Sequence, residues 1–268
     1  MKIKSLPFFL ILVTLAMPGC RSMVNTMAFH PDKESCIPPD KLPQGVQELF
    51  IDTTDGFKIQ SYFVPEKNSK KLVIFFHGNA GNIGHRLPDL LKIKGFGVNV
   101  LGAGYRGYGK SEGKPSEKGI YLDGESALAY AVDTLGFTMN DIYVFGRSIG
   151  TTVAIHSAQQ KNIAGLILVT PLTSAKEQAK AMGLGSIAFM AGTSFNNIGK
   201  IQDITCPVLI LHGDADRVIP YWMSVEMHEK VQTEKELVTI CGAGHNDIVA
   251  DSNTQYWESI SEFIIKGL

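Results

Sequence analysis

Residues Asp141 to Thr151, D-I-Y-V-F-G-R-S-I-G-T, decide how this chain folds. Ile142-Tyr143-Val144-Phe145 is an apolar, β-branched and aromatic run that suits a buried strand. Gly146-Arg147-Ser148-Ile149-Gly150 follows, a G-x-S-x-G turn with a serine at its centre. Thr151 to Gln160 then carries small and apolar residues at helical spacing. A strand-to-helix turn this sharp strains its central residue, so the flanking positions must lack bulky Cβ substituents. It lifts the Ser148 hydroxyl off the carboxyl edge of a sheet and aims the next helix's N-terminus at developing negative charge. The pentapeptide alone is common. Its place between a strand and a helix is what gives it weight.

Outward from this turn, short apolar runs alternate with helical patterns. Val46 to Thr53 and Phe57 to Val64 alternate apolar and polar residues around Asp55-Gly56, the pattern of an antiparallel hairpin. Leu72 to Phe76, Val98 to Ala103, Ala164 to Val169, Val208 to Leu211 and Leu237 to Ile240 read as further strands. Helices are expected up to Lys94, over Lys118 to Leu135, near Trp222 to Val231 and near Ser252 to Ile265. This order calls for an α/β fold, a mostly parallel eight-stranded sheet with an N-terminal antiparallel hairpin and helices on both faces. Residues 171–200 break the rhythm with glycines, Met182, Phe189, Met190 and Phe195, and read as a small cap. Their Met and Phe content suits either an acyl chain or ordinary core packing.

With 268 residues and 44% hydrophobic content, one domain with a large core is expected. A formal net charge of −1 and the lack of a basic run give no footprint for nucleic acid. The N-terminus is more telling. Lys2 and Lys4 precede an apolar run, Leu6 to Met17, which is too short to span a bilayer and reads as a signal peptide over residues 1–19. The Gly19-Cys20 junction resembles a bacterial lipobox, which implies acylation of Cys20 and export to the cell envelope. In a Gram-negative host that means the periplasmic side, at the outer membrane. Residues 20–45, with Pro31, Pro38, Pro39 and Pro43, read as an irregular lipidated tether, leaving 46–268 as the globular domain. Cys206 opens one expected strand and Cys241 closes the next, which sets them about 17–20 Å apart in a parallel sheet. Both are expected as free core thiols.

A serine hydroxyl needs a base in hydrogen-bond reach and a carboxylate to orient that base. In this architecture they fall after later strands, in the order Ser, acid, His. Val208 to Leu211 runs into His212-Gly-Asp214-Ala-Asp216, and Leu237 to Ile240 into Cys241-Gly-Ala-Gly-His245. His245 is the candidate base. Asp214 and Asp216 both lie in the acid loop, and a turn-capping role is open to the former. The backbone N–H groups of Asn79 and Ile149 are the candidate oxyanion donors. His77, which closes a strand, is expected to be structural, and Asn82 to cap a helix. The chemistry calls for no cofactor or metal.

Gly102 to Gly107 also fits G-x-G-x-x-G, and Gly104 to Ser111 fits G-x-x-x-x-G-K-[ST]. Both phosphate-binding motifs need a helix to open at once. Glu112-Gly113-Lys114-Pro115 follows instead, so no nucleotide is expected.

Together, His77-Gly-Asn-Ala-Gly-Asn82, Tyr105-Arg-Gly-Tyr-Gly-Lys-Ser-Glu-Gly113 and the serine turn resemble the α/β-hydrolase superfamily. The blocks are similar to its bud-emergence-type branch, which includes eukaryotic depalmitoylases and bacterial lipoproteins. The resemblance implies Ser148 as nucleophile, Asp216 as acid and His245 as base, and cleavage of an ester or thioester in a small or lipid-like acyl substrate. Gly102-Ala103-Gly104 and Thr170 to Ser174 depart from the branch pattern and are expected to reshape the pocket. A serine aminopeptidase and a non-catalytic binding lipoprotein with the same fold are the alternatives. Filled triad positions count against the latter, and the lack of a larger helical cap against the former.

Overall fold

The computed structural model describes residues 17–34, 36–250 and 252–267, with side chains from Met23 onward. Residues 1–16 of the expected signal peptide lie outside that range, as does the side chain of Cys20. Among the described residues, eight strands form one sheet. They are β1 (Gln47–Asp52), β2 (Lys58–Val64), β3 (Leu72–Phe76), β4 (Asn99–Ala103), β5 (Ile142–Arg147), β6 (Gly165–Val169), β7 (Val208–Gly213) and β8 (Lys235–Ile240). Their order across the sheet is β1-β2-β4-β3-β5-β6-β7-β8. β1 and β2 pair antiparallel, as do β2 and β4, and the remaining pairs are parallel.

The sheet is covered on both faces, and strand alternation sorts its side chains between two cores. Val144 of β5 belongs to the core on the side of α3 (Glu117–Asp133), α4 (Gly150–Ala158) and α7 (Trp222–Lys230), together with Ile120, Val153 and Met227. Tyr143 and Phe145 point the other way, toward Leu90 of α2 (Leu87–Lys94) and Ile260 of α8 (Thr254–Lys266). Burying each such side chain stabilises the fold by about 1.5–3 kcal/mol. Cys206 is a free, buried thiol. Cys241 is free but exposed, because β8 is an edge strand and its end carries no covering helix.

The leader departs from an irregular tether. Met17–Ala28 forms a helix, α1, and the next residue, Phe29, is buried against Phe195 with ring centroids 6.1 Å apart. His30 and Pro31 then pair with Ala80 and Gly81 as a short parallel bridge. The chain ahead of the hairpin is therefore docked on the body. The cap holds α5 (Ala175–Ala181), a 3₁₀ turn over Gly185–Ala191 and α6 (Asn197–Lys200). Its stem is closed by Ala175 N–H on the Ser194 carbonyl at 3.1 Å and by Asn197 on the Leu172 and Thr173 carbonyls. Of its aromatic residues, Phe195 belongs to the core and Phe189 stands in solvent. Among the described residues, no helix is long and apolar enough to cross a membrane.

Candidate active site

β5 delivers Ser148 to the carboxyl edge of the sheet and α4 leaves directly behind it. Ser148 has φ of 54°, a left-handed conformation that a non-glycine residue adopts only under constraint. The constraint is close backbone packing. A Cβ on Gly150 would run into the Phe76 carbonyl and lie 2.7 Å from that of His77, and one on Gly146 would lie 2.5 Å from the Gly150 carbonyl. Ser148 N–H donates to the Val169 carbonyl at 2.9 Å, which locks the turn to β6.

The loops after β7 and β8 bring two further groups to this hydroxyl. His245 Nε2 lies 3.1 Å from Ser148 Oγ, and His245 Nδ1 lies 2.7 Å from Asp216 Oδ2. Because Nδ1 faces a carboxylate, it carries the proton, leaving Nε2 free to accept from the serine. The Asp216 side chain is fully buried and also accepts from Val218 N–H (2.7 Å) and Ile219 N–H (2.9 Å). Burial pushes the Asp216 carboxyl up, but hydrogen bonds from His212 and His245 outweigh it and hold the group well below the usual range. Asp214 faces elsewhere and accepts from Gly242 N–H at 2.6 Å, a tie between the acid and histidine loops.

His212 was not singled out from the sequence. It is buried with Nε2 facing the Ile219 carbonyl at 2.9 Å and Asp216 Oδ2 at 3.3 Å, while Nδ1 accepts from Ser224 Oγ at 2.6 Å. It braces the same carboxylate oxygen, Oδ2, that His245 faces. Its i,i+4 spacing from Asp216 in H-G-D-A-D was the available signal. Arg147 also went unnoticed: its guanidinium donates to the His245 carbonyl at 3.3 Å and steadies that loop from behind.

The loop after β3 faces the same point. A Cβ on Gly78 would lie 3.6 Å from Ser148 Cβ, so this loop passes directly over the serine. Among the described residues, neither Asn79 N–H nor Ile149 N–H donates to a protein acceptor. The peptide that carries Asn79 N–H is held from its other end, because His77 Nδ1 donates to the Gly78 carbonyl at 2.6 Å. Tyr105 O–H donates to the His77 carbonyl (2.9 Å) and Tyr108 O–H to the Asn79 carbonyl (2.8 Å), which also accepts from His30 N–H (3.1 Å). Each carbonyl so pinned fixes the orientation of the N–H in its peptide plane. The His77 ring is fully buried against Tyr105, with ring centroids 4.4 Å apart, and burial lowers its pKa to about 3. Asn82 caps the 3₁₀ turn after this loop, accepting from Gly84 N–H at 2.9 Å.

The G-Y-R-G-Y-G loop after β4 is thus a clamp on its neighbour, with no helix until Glu117. Arg106 anchors it to Asp123 of α3 and to Asp55 of the β1–β2 turn, at 2.8 Å in each case, and holds the Asp55 carboxyl down to about 2. A side chain at Gly102 would meet Leu90 and Ile83, and one at Gly104 the Gln60 carbonyl. These two glycines therefore close the packing around β4. Among the described residues, no group of three or more His, Cys, Asp or Glu side chains is placed to hold a metal ion.

A strained serine after the fifth strand, a carboxylate after the seventh and a histidine after the eighth define the α/β-hydrolase class. A family profile described as serine aminopeptidase, S33, matches residues 67–200, and one described as TAP-like protein matches residues 190–268. Human alpha/beta hydrolase domain-containing protein 17B is 34% identical over 218 residues, which is 81% of this chain and 74% of its own. The domain-containing protein aho-3 of Caenorhabditis elegans is 34% identical over 202 residues, 75% of this chain and 59% of its own. An esterase from Pyrococcus furiosus superposes with a TM-score of 0.73 at 21% identity, over 88% of this chain and 96% of that one. Est1E from Butyrivibrio proteoclasticus, solved with ferulic acid bound, gives 0.68 at 27% identity over 82% and 98%. The chain belongs to the α/β-hydrolase superfamily, with the domain-containing 17B proteins among its relatives.

Proposed function

We propose that this hydrolase cleaves carboxylic esters or thioesters through an acyl-enzyme on Ser148. The observation that carries the reading is the hydrogen-bonded chain from Ser148 Oγ through His245 to Asp216, with Ser148 held at φ of 54°. His245 Nε2 takes the serine proton as Oγ attacks the acyl carbonyl, and Asp216 stabilises the imidazolium that forms. Asn79 and Ile149 N–H receive the tetrahedral oxyanion. The imidazolium then protonates the departing alcohol or thiol, and water activated by the same nitrogen releases the acid. Hydrolysis of p-nitrophenyl esters of graded chain length, with Ser148→Ala alongside, tests this. Activity in the parent that is lost in the variant supports it. Inactivity on every ester and thioester, with no fluorophosphonate labelling of Ser148, sinks it.

The description of the profile over residues 67–200 favours a second reading, a serine aminopeptidase. The same catalytic groups would serve an amide. Faster turnover of aminoacyl-p-nitroanilides than of the matching p-nitrophenyl esters would select it. Export and acylation at Cys20 belong to the leading proposal and rest on the Lys2–Cys20 pattern. Mass analysis of the N-terminal peptide from the native host, with Cys20→Ser as control, tests them.

A further inference from the structure

Among the described residues, nine large apolar side chains stand exposed, and seven of them fall in three segments that meet around the cap. Monomer surfaces scatter such residues singly, and their gathering marks an interaction site. Met23 and Met27 lie one turn apart on α1, which packs against the 3₁₀ turn of the cap. Met182, Ile187 and Phe189 project from the cap itself, and Phe189 is 72% exposed. Gln178 of α5 donates to the Val218 carbonyl at 2.7 Å, which sets the cap against the loop that carries Asp216. Val218 and Trp222 are exposed there.

Residues 182–195 contain no charged side chain, so placing this rim in an apolar phase desolvates no ion. Lys176 and Arg217 stand exposed beside it, with long stems that suit a headgroup layer. The chain before α1 points to the occupant. Leu6 to Ala16 is uncharged and almost wholly apolar, and Cys20 lies three residues before Met23. Whichever of the two holds the bilayer, α1 is brought to it. The body cannot swing away from α1, because Asn25 accepts from Glu117 N–H at 3.3 Å, Phe29 packs on Phe195, and His30 to Asp32 are bonded to the loop that carries Asn79.

We propose that α1, the cap and the Val218–Trp222 turn dock together on a lipid bilayer, so that the catalytic cleft takes its acyl substrate from the membrane face. The docking stands on the surface itself. Its substrate half rests on the acyl-hydrolase reading. Trp222 provides the reporter, since the chain's one other tryptophan, Trp257, is buried on α8. The full chain carrying Trp257→Phe is mixed with phosphatidylglycerol–phosphatidylethanolamine vesicles containing dibrominated acyl chains, and Trp222 emission is read. Quenching to roughly half, with a blue shift, is expected for an indole at the headgroup boundary. Ile187→Glu with Phe189→Glu is expected to abolish the quenching, with unchanged cooperative melting and whether or not the N-terminus keeps the variant in the vesicle pellet. Unquenched Trp222 in vesicle-bound parent protein overturns docking, as does quenching that the double variant leaves intact. A dimer in sedimentation equilibrium with no quenching overturns it too, with a second copy as the cover. Ester hydrolysis without vesicles, against Ser148→Ala, reports on the enzyme reading separately.

Discussion

Two glycine-rich turns leave the strands on either side of β3, and they are built to opposite ends. In the Gly146–Gly150 turn, glycine is required because backbone approaches backbone, and the product is one displayed hydroxyl on a strained residue. In the Tyr105–Gly109 loop, the working parts are side chains: two tyrosine hydroxyls pin the loop lying between the turns, and a guanidinium ties their own loop to Asp123 and Asp55. The first turn presents the proposed nucleophile. The second holds still the peptide that faces it. Similar composition therefore says little until each glycine's neighbours are known.

The largest expected effect sits on the displayed side. Ser148→Ala should lower kcat/KM on a p-nitrophenyl ester by about 10⁴-fold or more, measured under single-turnover and steady-state conditions. Next comes the glycine contrast. Gly150→Ala meets two backbone carbonyls that cannot give way, so a loss of about 3 kcal/mol or more, or failure to fold, is expected in urea unfolding. Gly107→Ala meets the Pro115 ring at positive φ and should cost about 1–2 kcal/mol, so the two turns part by stability as well as by role. Equal costs would erase the contrast.

The pinned side is tested by pH. Burial holds His77 neutral down to about pH 3, whereas in the unfolded chain it protonates near 6.5. A depressed histidine contributes stability that is full above about 6.5 and is lost as pH falls toward 3. Between pH 7 and pH 5, unfolding free energy should drop by about 2 kcal/mol from this group, and His77→Asn should remove that slope. The smallest effect belongs to a single hydroxyl. Tyr105→Phe keeps the tilted ring contact with His77 but frees the His77 carbonyl, and should cost about 1 kcal/mol, roughly fivefold in kcat with KM little changed. A loss comparable to that of Ser148→Ala would mean that the clamp takes part in the chemistry.

Much of this was legible along the chain. Strand periods and the serine turn placed all eight strands within a few residues, because buried parallel strands are continuous apolar runs whatever surrounds them. Asp214 and Asp216 stayed ambiguous by spacing alone, since two carboxylates in one loop differ only in what they turn toward. His212 was passed over because a histidine at a strand end looks the same whether it braces a carboxylate or packs. The leader looked irregular because its prolines hide a helix and a bridge whose partners lie some fifty residues away. Cys241 was expected inside, but an edge strand leaves its end uncovered.

Local patterning by itself determined the elements, their order and the residue types available for acyl transfer, since each depends on neighbours within a few positions. Which groups meet was decided by tertiary structure alone. Ser148 and His245 are 97 positions apart, and the Tyr105 hydroxyl and the His77 carbonyl 28. Hydrogen bonds of 2.7–3.1 Å between such residues exist only when several strand ends are closed onto one sheet edge. The apolar rim is decided the same way. In sequence Met182 and Phe189 suit an acyl chain and core packing equally, and only the packed body leaves them exposed, beside Met23, Met27 and Trp222.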